Sequence, residues 1–132
     1  MNDLATVEQV KVVYNNCYGG FSLSHDAVLR LAELKDMNVY PQKLMMDTYI
    51  YWLEPLKKNE DRKNGPSFDV RNISRHDKDL VGVVEEMGEK ANGTFAKLTI
   101  ETMNKGTLYR IDEYDGNETV IHQYDDVWSV AE

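Results

Sequence analysis

Apolar and polar residues follow two different rhythms along the first third of the chain. Residues 8–15, EQVKVVYN, alternate and are rich in β-branched side chains, which predicts a strand. Residues 25–36 place Val28, Leu31 and Ala32 at helical spacing after Ser24, which predicts a helix with Ser24 as its N-cap. The segment between them, NNCYGGFSLS, is therefore the predicted loop from strand to helix.

The second half repeats this order and then continues with strands alone. Residues 68–73 predict a short strand, and residues 76–91 carry a regular apolar stripe that predicts a helix ended by Asn92–Gly93. Three alternating segments follow, at residues 94–103, 107–113 and 118–123. Because short turns separate them, they predict a three-stranded antiparallel meander.

These elements predict an α+β fold with an α/β-like, two-layer arrangement. The two main helices pack on a mixed sheet, and the C-terminal antiparallel meander supplies its last strands. A chain of 132 residues has about the length of one domain, so residues 1–132 are expected to form a single domain. Residues 37–67 are interpreted as a variable insert. Within it, residues 54–67 are charged and contain Pro and Gly, which predicts an exposed, mobile loop.

Composition and charge exclude several classes of protein. No apolar run approaches the roughly 20 residues that cross a bilayer, so no membrane contact is expected. The single cysteine, Cys17, cannot form an internal disulfide, which fits a reducing compartment. The net charge is −8, and residues 67–132 contain 14 acidic against 7 basic side chains. Such a surface repels nucleic acid, so direct binding of nucleic acid is not expected. It either attracts a basic protein face or only keeps the chain in solution.

The loops before the two predicted helices carry the candidate binding site. If the preceding strands are parallel, both helix N-termini open at one sheet edge, where their unpaired N–H groups favour an anion. The candidate ligand-binding residues are Asn16, Tyr18, Gly19, Gly20, Ser22, Arg75, His76 and Arg110. Arginine suits phosphate, and Tyr18 could stack on a ring. In the other interpretation, Gly19–Gly20 only form a turn, and Arg75 and His76 are solvated.

Catalytic and metal-binding patterns are weak. Cys17 at a strand-to-helix turn resembles the nucleophile of thiol phosphatases, but Leu23 stands where their phosphate loop has Arg. Pairing with His25 or His76 would give Cys17 a base, whereas a lone cysteine after a strand also suits apolar packing. The acidic run from Asp112 lacks EF-hand spacing, and the histidines lack zinc spacing. No catalytic residue, metal or cofactor is therefore assigned.

Three motifs resemble a family of small, mostly uncharacterised proteins of phages and large viruses. They are YNNCYGGFSLS, RHDKDLVGVVEEMGEKANGTFAKLTI and YRIDEYDGNETV, and they match the family patterns YNxCxGGFxLS, RHDxxLVxVVEExGExANGxFAxLxI and YxIDEYDGxExV in the same order. The tail HQYDDVW lacks the basic residues that members often carry there, and residues 37–67 have no counterpart. The resemblance implies a phage or viral origin rather than a mechanism.

A viral origin favours a non-enzymatic accessory protein. Small acidic phage proteins without a catalytic signature commonly bind something of the host, so the resemblance implies a role in host takeover or counter-defence in the host cytoplasm. The expected partner is a host protein or a phosphate-bearing, nucleotide-like small molecule, and a homo-oligomer stays open. The alternatives are a small hydrolase or transferase that uses Cys17 or His76, and a virion-associated module, which no sequence feature favours.

Overall fold

Two helices and three two-stranded antiparallel sheets make up the part of the chain that the structure describes. This computed structural model describes residues 8–46, 48–123 and 131. Its elements are β1 (Gln9–Asn15), α1 (His25–Leu34), β2 (Tyr40–Lys43), β3 (Tyr49–Trp52), α2 (Lys78–Met87), β4 (Leu98–Asn104), β5 (Tyr109–Tyr114) and β6 (Asn117–His122), with short 3-10 helices at Val70–Asn72 and Gly88–Ala91. The predicted α+β class is confirmed. Most of the tail HQYDDVW lies outside the described residues.

The strands pair differently from the predicted mixed sheet and meander. β1 pairs antiparallel with β4, from Gln9 opposite Asn104 to Asn15 opposite Leu98. β2 pairs antiparallel with β3, and β5 with β6. The mixed sheet and the three-stranded meander were therefore wrong, and only the β5–β6 hairpin of the meander forms. Alternation along β4 identifies a strand, but the choice of a partner far away in the sequence depends on packing.

The strand predicted at residues 68–73 was also wrong. Val70–Asn72 form a 3-10 helix, and the Asp69 side chain caps it by accepting the Arg71 N–H at 2.9 Å. An aspartate that accepts a hydrogen bond from the backbone two residues later favours a turn over a strand. No parallel strand pair occurs in the described ranges. The parallel arrangement on which the predicted crevice depended is therefore not formed there.

Side-chain caps set the starts of both helices. Ser24 caps α1 as predicted, because its Oγ accepts the Ala27 N–H at 3.2 Å. α2 begins two residues later than predicted, at Lys78, because Asp77 is its N-cap and accepts the N–H groups of Asp79 and Leu80 at 2.9 and 3.0 Å. No helix in the described ranges combines the length and the apolar character that crossing a membrane requires.

β1 is buried on both faces. Val13 packs into the main core with both helices, whereas Val12 packs with Met103 and Val120 in a second cluster beside the β5–β6 hairpin. The buried helix residues of the main core are Ala27, Val28, Leu31, Ala32, Leu80, Val81, Val83 and Val84. Adjacent side chains of a strand point to opposite faces, so β1 separates the helices from the hairpin. The loop after β1 is thereby held between these two layers.

The charged loop at residues 54–67 folds around one arginine. Arg62 donates to the carbonyl oxygens of Glu54 and Pro55 at 2.9 and 2.7 Å and to the Glu60 carboxylate at 2.9 Å. Its guanidinium carbon also lies 5.4 Å from the ring centroid of Trp52. Most of the loop is exposed, as predicted, but the Arg62 side chain is only 16% exposed and holds the loop together.

Candidate functional site

A buried asparagine fixes the loop that follows β1. Asn15 is fully buried, and its Nδ2 donates to the carbonyl oxygens of Cys17 and Gly116, both at 2.8 Å. Its Oδ1 accepts the Lys97 N–H at 2.8 Å. One side chain therefore satisfies backbone groups from three segments, which ties this loop to the turn of the β5–β6 hairpin and to the segment before β4.

Arg75 belongs to the same network. Its Nη1 and Nη2 donate to Oε1 and Oε2 of Glu118 at 2.6 and 2.8 Å, and its guanidinium carbon lies 3.6 Å from the ring centroid of Phe21. Oε1 of Glu118 also accepts the Asn15 N–H at 2.8 Å. A bidentate ion pair occupies the same guanidinium N–H groups that would bind a phosphate. Arg75 therefore stabilises the fold through Glu118.

Close backbone contacts explain two glycines of the motifs. A Cβ on Gly19 would lie 1.7 Å from the carbonyl oxygen of Phe95, and a Cβ on Gly116 would lie 2.5 Å from that of Tyr18. Gly116 also has a φ of +87°, where a side chain is strained. The loop backbone is thus enclosed by Phe95 on one side and by the hairpin turn on another. This geometry favours the turn interpretation of Gly19–Gly20.

The remaining predicted site residues are dispersed. Nδ1 of His76 lies 2.6 Å from the hydroxyl of Tyr109, and Arg110 donates from Nε to Asp112 at 3.0 Å. The Asn16 N–H donates to the carbonyl oxygen of Lys97 at 2.8 Å. Of the eight candidates, the structure brings two, Gly19 and Ser22, to the cleft described next. The other six are Asn16, Tyr18, Gly20, Arg75, His76 and Arg110.

A cleft of about 1240 Å³ opens at the N-terminus of α1. Its walls come from β3, from the end of the charged loop with the following 3-10 helix, and from the loop after α2. Its apolar lining includes the buried side chains of Val28, Trp52 and Phe68. Pockets for small molecules usually measure roughly 300–1000 Å³, so this cleft has room for a ligand with a ring and a polar tail.

Stacked rings form one wall of the cleft. His25, the first residue of α1, stacks on Tyr49 with ring centroids 3.9 Å apart and planes 17° apart. Nδ1 of His25 lies 2.9 Å from the hydroxyl of Tyr51. Burial of Tyr51, with smaller contributions from Tyr49 and Asp26, raises the pKa of Tyr51 to about 12. The phenol therefore stays protonated at neutral pH and can donate to the imidazole.

Basic and acidic side chains both line the cleft, on a protein whose net charge is −8. The bases are Lys63, Arg71 and Lys90, and the acids are Asp26 and Asp69. Arg71 pairs with Asp69 at 2.7 Å and Lys63 with Asp61 at 2.8 Å, so that Lys90 is the base of this lining that has no ion pair within the described residues. Lys90 is exposed, and its carbonyl oxygen accepts the Ser24 Oγ hydrogen at 2.7 Å, which holds Lys90 beside the start of α1. Positive charge and a helix N-terminus therefore occur together at this end of the cleft.

The sulfur of Cys17 is hydrogen-bonded away from any described histidine. Its Sγ donates to the carbonyl oxygen of Phe95 at 2.9 Å and lies 3.4 Å from Oδ1 of Asn15. His25 and His76 instead bond to tyrosine hydroxyls. Among the described residues, no group of three or more His, Cys, Asp or Glu side chains could hold a metal ion. The geometry thus supplies no base to the thiol.

Sequence reasoning missed the ring wall of the cleft. The alternation in TYIYWL, residues 48–53, is β-like and places Tyr49 and Tyr51 on one face of a strand, although the residues before it, LMMD, could be helical. Nothing in the sequence indicated that His25 lies against that face, because the contacts join residues that are 24 positions apart or more.

In comparisons with known proteins, no family model, no curated protein and no solved structure matches this chain.

Proposed function

We propose that the protein is a non-enzymatic binding protein that takes a nucleotide-like small molecule in the cleft beside α1. The observation that supports this proposal is the combination, in one cleft, of a stacked ring wall with Lys90 beside the N-terminus of α1. Aromatic rings bind flat ligands through their faces, and Lys and Arg bind phosphate. A nucleotide carries both features, and the cleft has room for both.

The charges of the cleft suggest how such a ligand is oriented. Its phosphate group lies near Lys90 and the N-terminus of α1, where a lysine and unpaired N–H groups favour an anion. Its base packs on the Tyr49 ring, beside the edge of the His25 ring. Asp26 repels phosphate but accepts hydrogen bonds, so it suits a ribose hydroxyl or an amino group.

Binding accounts for the described geometry better than catalysis. A cysteine nucleophile needs a base or another means of forming a thiolate, and the Cys17 sulfur donates to a carbonyl oxygen. His76 is bonded to Ser74 and Tyr109, outside the cleft. Neither residue of the hydrolase or transferase alternative therefore has a neighbour that would activate it among the described residues.

The biological role rests on the resemblance to phage and large-virus proteins. A binding protein of this kind would act in the host cytoplasm, in host takeover or counter-defence, by sequestering a nucleotide signal. A host protein is the second candidate partner, and one observation favours it. Tyr18, Phe95 and Tyr114 are 64%, 74% and 77% exposed, in segments that meet around Gly19 and Gly116. Exposed tyrosines are common anchors of protein interfaces.

Thermal shift measurements with nucleotides and cyclic nucleotides test the small-molecule proposal. A ligand at about 100 times its dissociation constant adds roughly 2.7 kcal/mol to the free energy of unfolding. Lys90→Gln should weaken binding by about 1.5–3 kcal/mol, because it removes a charge-assisted hydrogen bond. Lys97→Gln removes a charge that is also exposed but lies outside the cleft, and it should leave affinity unchanged.

Two outcomes would contradict the proposal. The first is the absence of a shift across the whole nucleotide panel. The second is an equal effect of Lys90→Gln and Lys97→Gln, which would indicate a general charge effect rather than the cleft. Capture of one host protein by the wild type, lost in a Tyr18→Ala, Tyr114→Ala variant, would instead support the protein partner.

A further inference from the structure

The hydrogen bond between His25 and Tyr51 occupies one of the two imidazole nitrogens. Nδ1 of His25 lies 2.9 Å from the Tyr51 hydroxyl. A neutral imidazole has one donor and one acceptor nitrogen, and a protonated phenol can donate to Nδ1 or accept from it. When the phenol donates, the proton of the ring resides on Nε2. Stacking on Tyr49 at 3.9 Å holds the ring plane in place as well.

Nε2 of His25 is free to meet a ligand. Within the described residues it has no hydrogen-bond partner, and it is not sealed from solvent. His25 lines the cleft with its ring already oriented, so an N–H on this nitrogen would be a donor ordered before binding. A donor that is ordered before binding costs little conformational entropy when it pairs, which makes it an effective determinant of specificity.

The donor lies at the same end of the cleft as the positive charge. The N–H of Ser24 donates to the carbonyl oxygen of Ala91 at 2.9 Å, and its Oγ donates to that of Lys90 at 2.7 Å. His25 follows Ser24 directly, so His25 and Lys90 flank one junction between α1 and the loop after α2. A ligand that spans the two residues presents an acceptor to His25 close to its phosphate.

We infer that Tyr51 donates to Nδ1 of His25, which places the ring proton on Nε2, and that His25 is thereby a specificity-determining residue of the cleft, whose Nε2–H selects purine nucleotides by donating to N7 of the base. This inference rests on the proposed function. In an anti nucleotide, the edge of the base nearest to the 5′-phosphate carries N7 in a purine, but only C–H groups in a pyrimidine. A single donor beside the phosphate site therefore distinguishes these two classes. A bound ligand without this acceptor covers the donor and leaves it unpaired, which is where such sites gain their selectivity.

Affinities for ligands with and without N7 measure the contribution of the His25–N7 hydrogen bond. Isothermal titration with GTP, 7-deaza-GTP and UTP compares one purine, the same purine with N7 replaced by C–H, and a pyrimidine. Loss of one hydrogen bond should weaken 7-deaza-GTP and UTP by about three- to tenfold relative to GTP. In His25→Phe, which keeps a stacking ring without a donor, all three should bind with equal affinity. Tyr51→Phe keeps the His25 ring but releases its tautomer, so the discrimination should shrink.

The position of the His25 ring proton can be measured in the free protein, without any ligand. Nitrogen-15 NMR of the His25 ring should show the proton on Nε2 in the wild type and a mixture of tautomers in Tyr51→Phe. His76→Phe, outside the cleft, should change neither the tautomer nor the discrimination. Equal affinity for GTP and 7-deaza-GTP, or a proton on Nδ1, would overturn the inference while nucleotide binding stands. Absence of binding by all three nucleotides would overturn the proposed function and this inference together.

Discussion

Arg75 and Glu118 form a bidentate ion pair that joins the segment before α2 to strand β6, with N–O distances of 2.6 and 2.8 Å. The Glu118 side chain is only 7% exposed, and its carboxylate also accepts the N–H of Asn15 at 2.8 Å. Asn15, Arg75 and Glu118 belong to the three separate motifs of the viral resemblance. These motifs therefore meet in one polar network that positions the loop after β1.

We predict that removal of Arg75 destabilises the fold. Arg75→Ala leaves the buried Glu118 carboxylate without its cation, which should lower the free energy of unfolding by about 3–5 kcal/mol. Urea denaturation measures this loss. Adding Glu118→Gln to Arg75→Ala should recover part of it, because the unpaired charge is removed. Arg71→Ala is the matched control, because Arg71 is 81% exposed in its pair with Asp69 and should cost no more than about 1 kcal/mol. Equal effects of the two arginines would contradict the network.

A second prediction compares two glycines. A Cβ on Gly19 would lie 1.7 Å from the carbonyl oxygen of Phe95, so Gly19→Ala should force the loop apart and cost about 1–3 kcal/mol. Gly82 lies inside α2, with nothing within 4 Å of an added Cβ. Gly82→Ala should therefore stabilise the protein by up to about 1 kcal/mol through helix propensity. Thermal unfolding should show a lower melting temperature for Gly19→Ala and a higher one for Gly82→Ala. An unchanged melting temperature in Gly19→Ala would show that the loop accommodates the extra methyl group without cost.

Cys17 should behave as a packing residue. Its Sγ donates to Phe95 and has no histidine neighbour among the described residues, so Cys17→Ala should cost on the order of 1 kcal/mol and leave nucleotide affinity unchanged. Thermal unfolding and titration calorimetry measure the two quantities. Loss of function in a folded Cys17→Ala protein would instead support the hydrolase or transferase alternative.

The elements that could be predicted depend on nearby residues. Ser24 caps α1 through an N–H three positions later, and the β5–β6 hairpin closes on its own turn. Such features are visible in a short window of sequence. The start of α2 was predicted two residues too early, because the apolar stripe does not mark the cap and only the backbone geometry identifies Asp77.

The contacts that could not be predicted join distant positions. Asn15 and Glu118 are 103 positions apart, and β4 follows β1 by more than 80 residues. The Arg75 guanidinium suits phosphate and carboxylate equally well, so its residue type could not indicate which of the two it binds. The ring wall of the cleft could not be predicted for the same reason, since His25 approaches Tyr49 and Tyr51 only after α1 packs beside β3.

The hydroxyl of Tyr51 should ionise only in strongly alkaline solution. Burial raises its pKa from 10.0 to about 12, and Tyr49 and Asp26 add to the effect. The folded protein thus holds this proton more tightly than the unfolded chain does. The corresponding stability is fully present below pH 10.0 and is lost as the pH rises from 10.0 to about 12.

The difference in tyrosinate absorbance between wild type and Tyr51→Phe isolates this ionisation, and it should reach its midpoint near pH 12. Saturation with a purine nucleotide should move the midpoint further upward, since a ligand over the ring wall excludes more water and brings negative phosphate nearby. A midpoint near the ordinary 10.0 would mean that the hydroxyl is open to solvent. Its bond to Nδ1 of His25 would then be too weak to fix the tautomer on which purine selection depends.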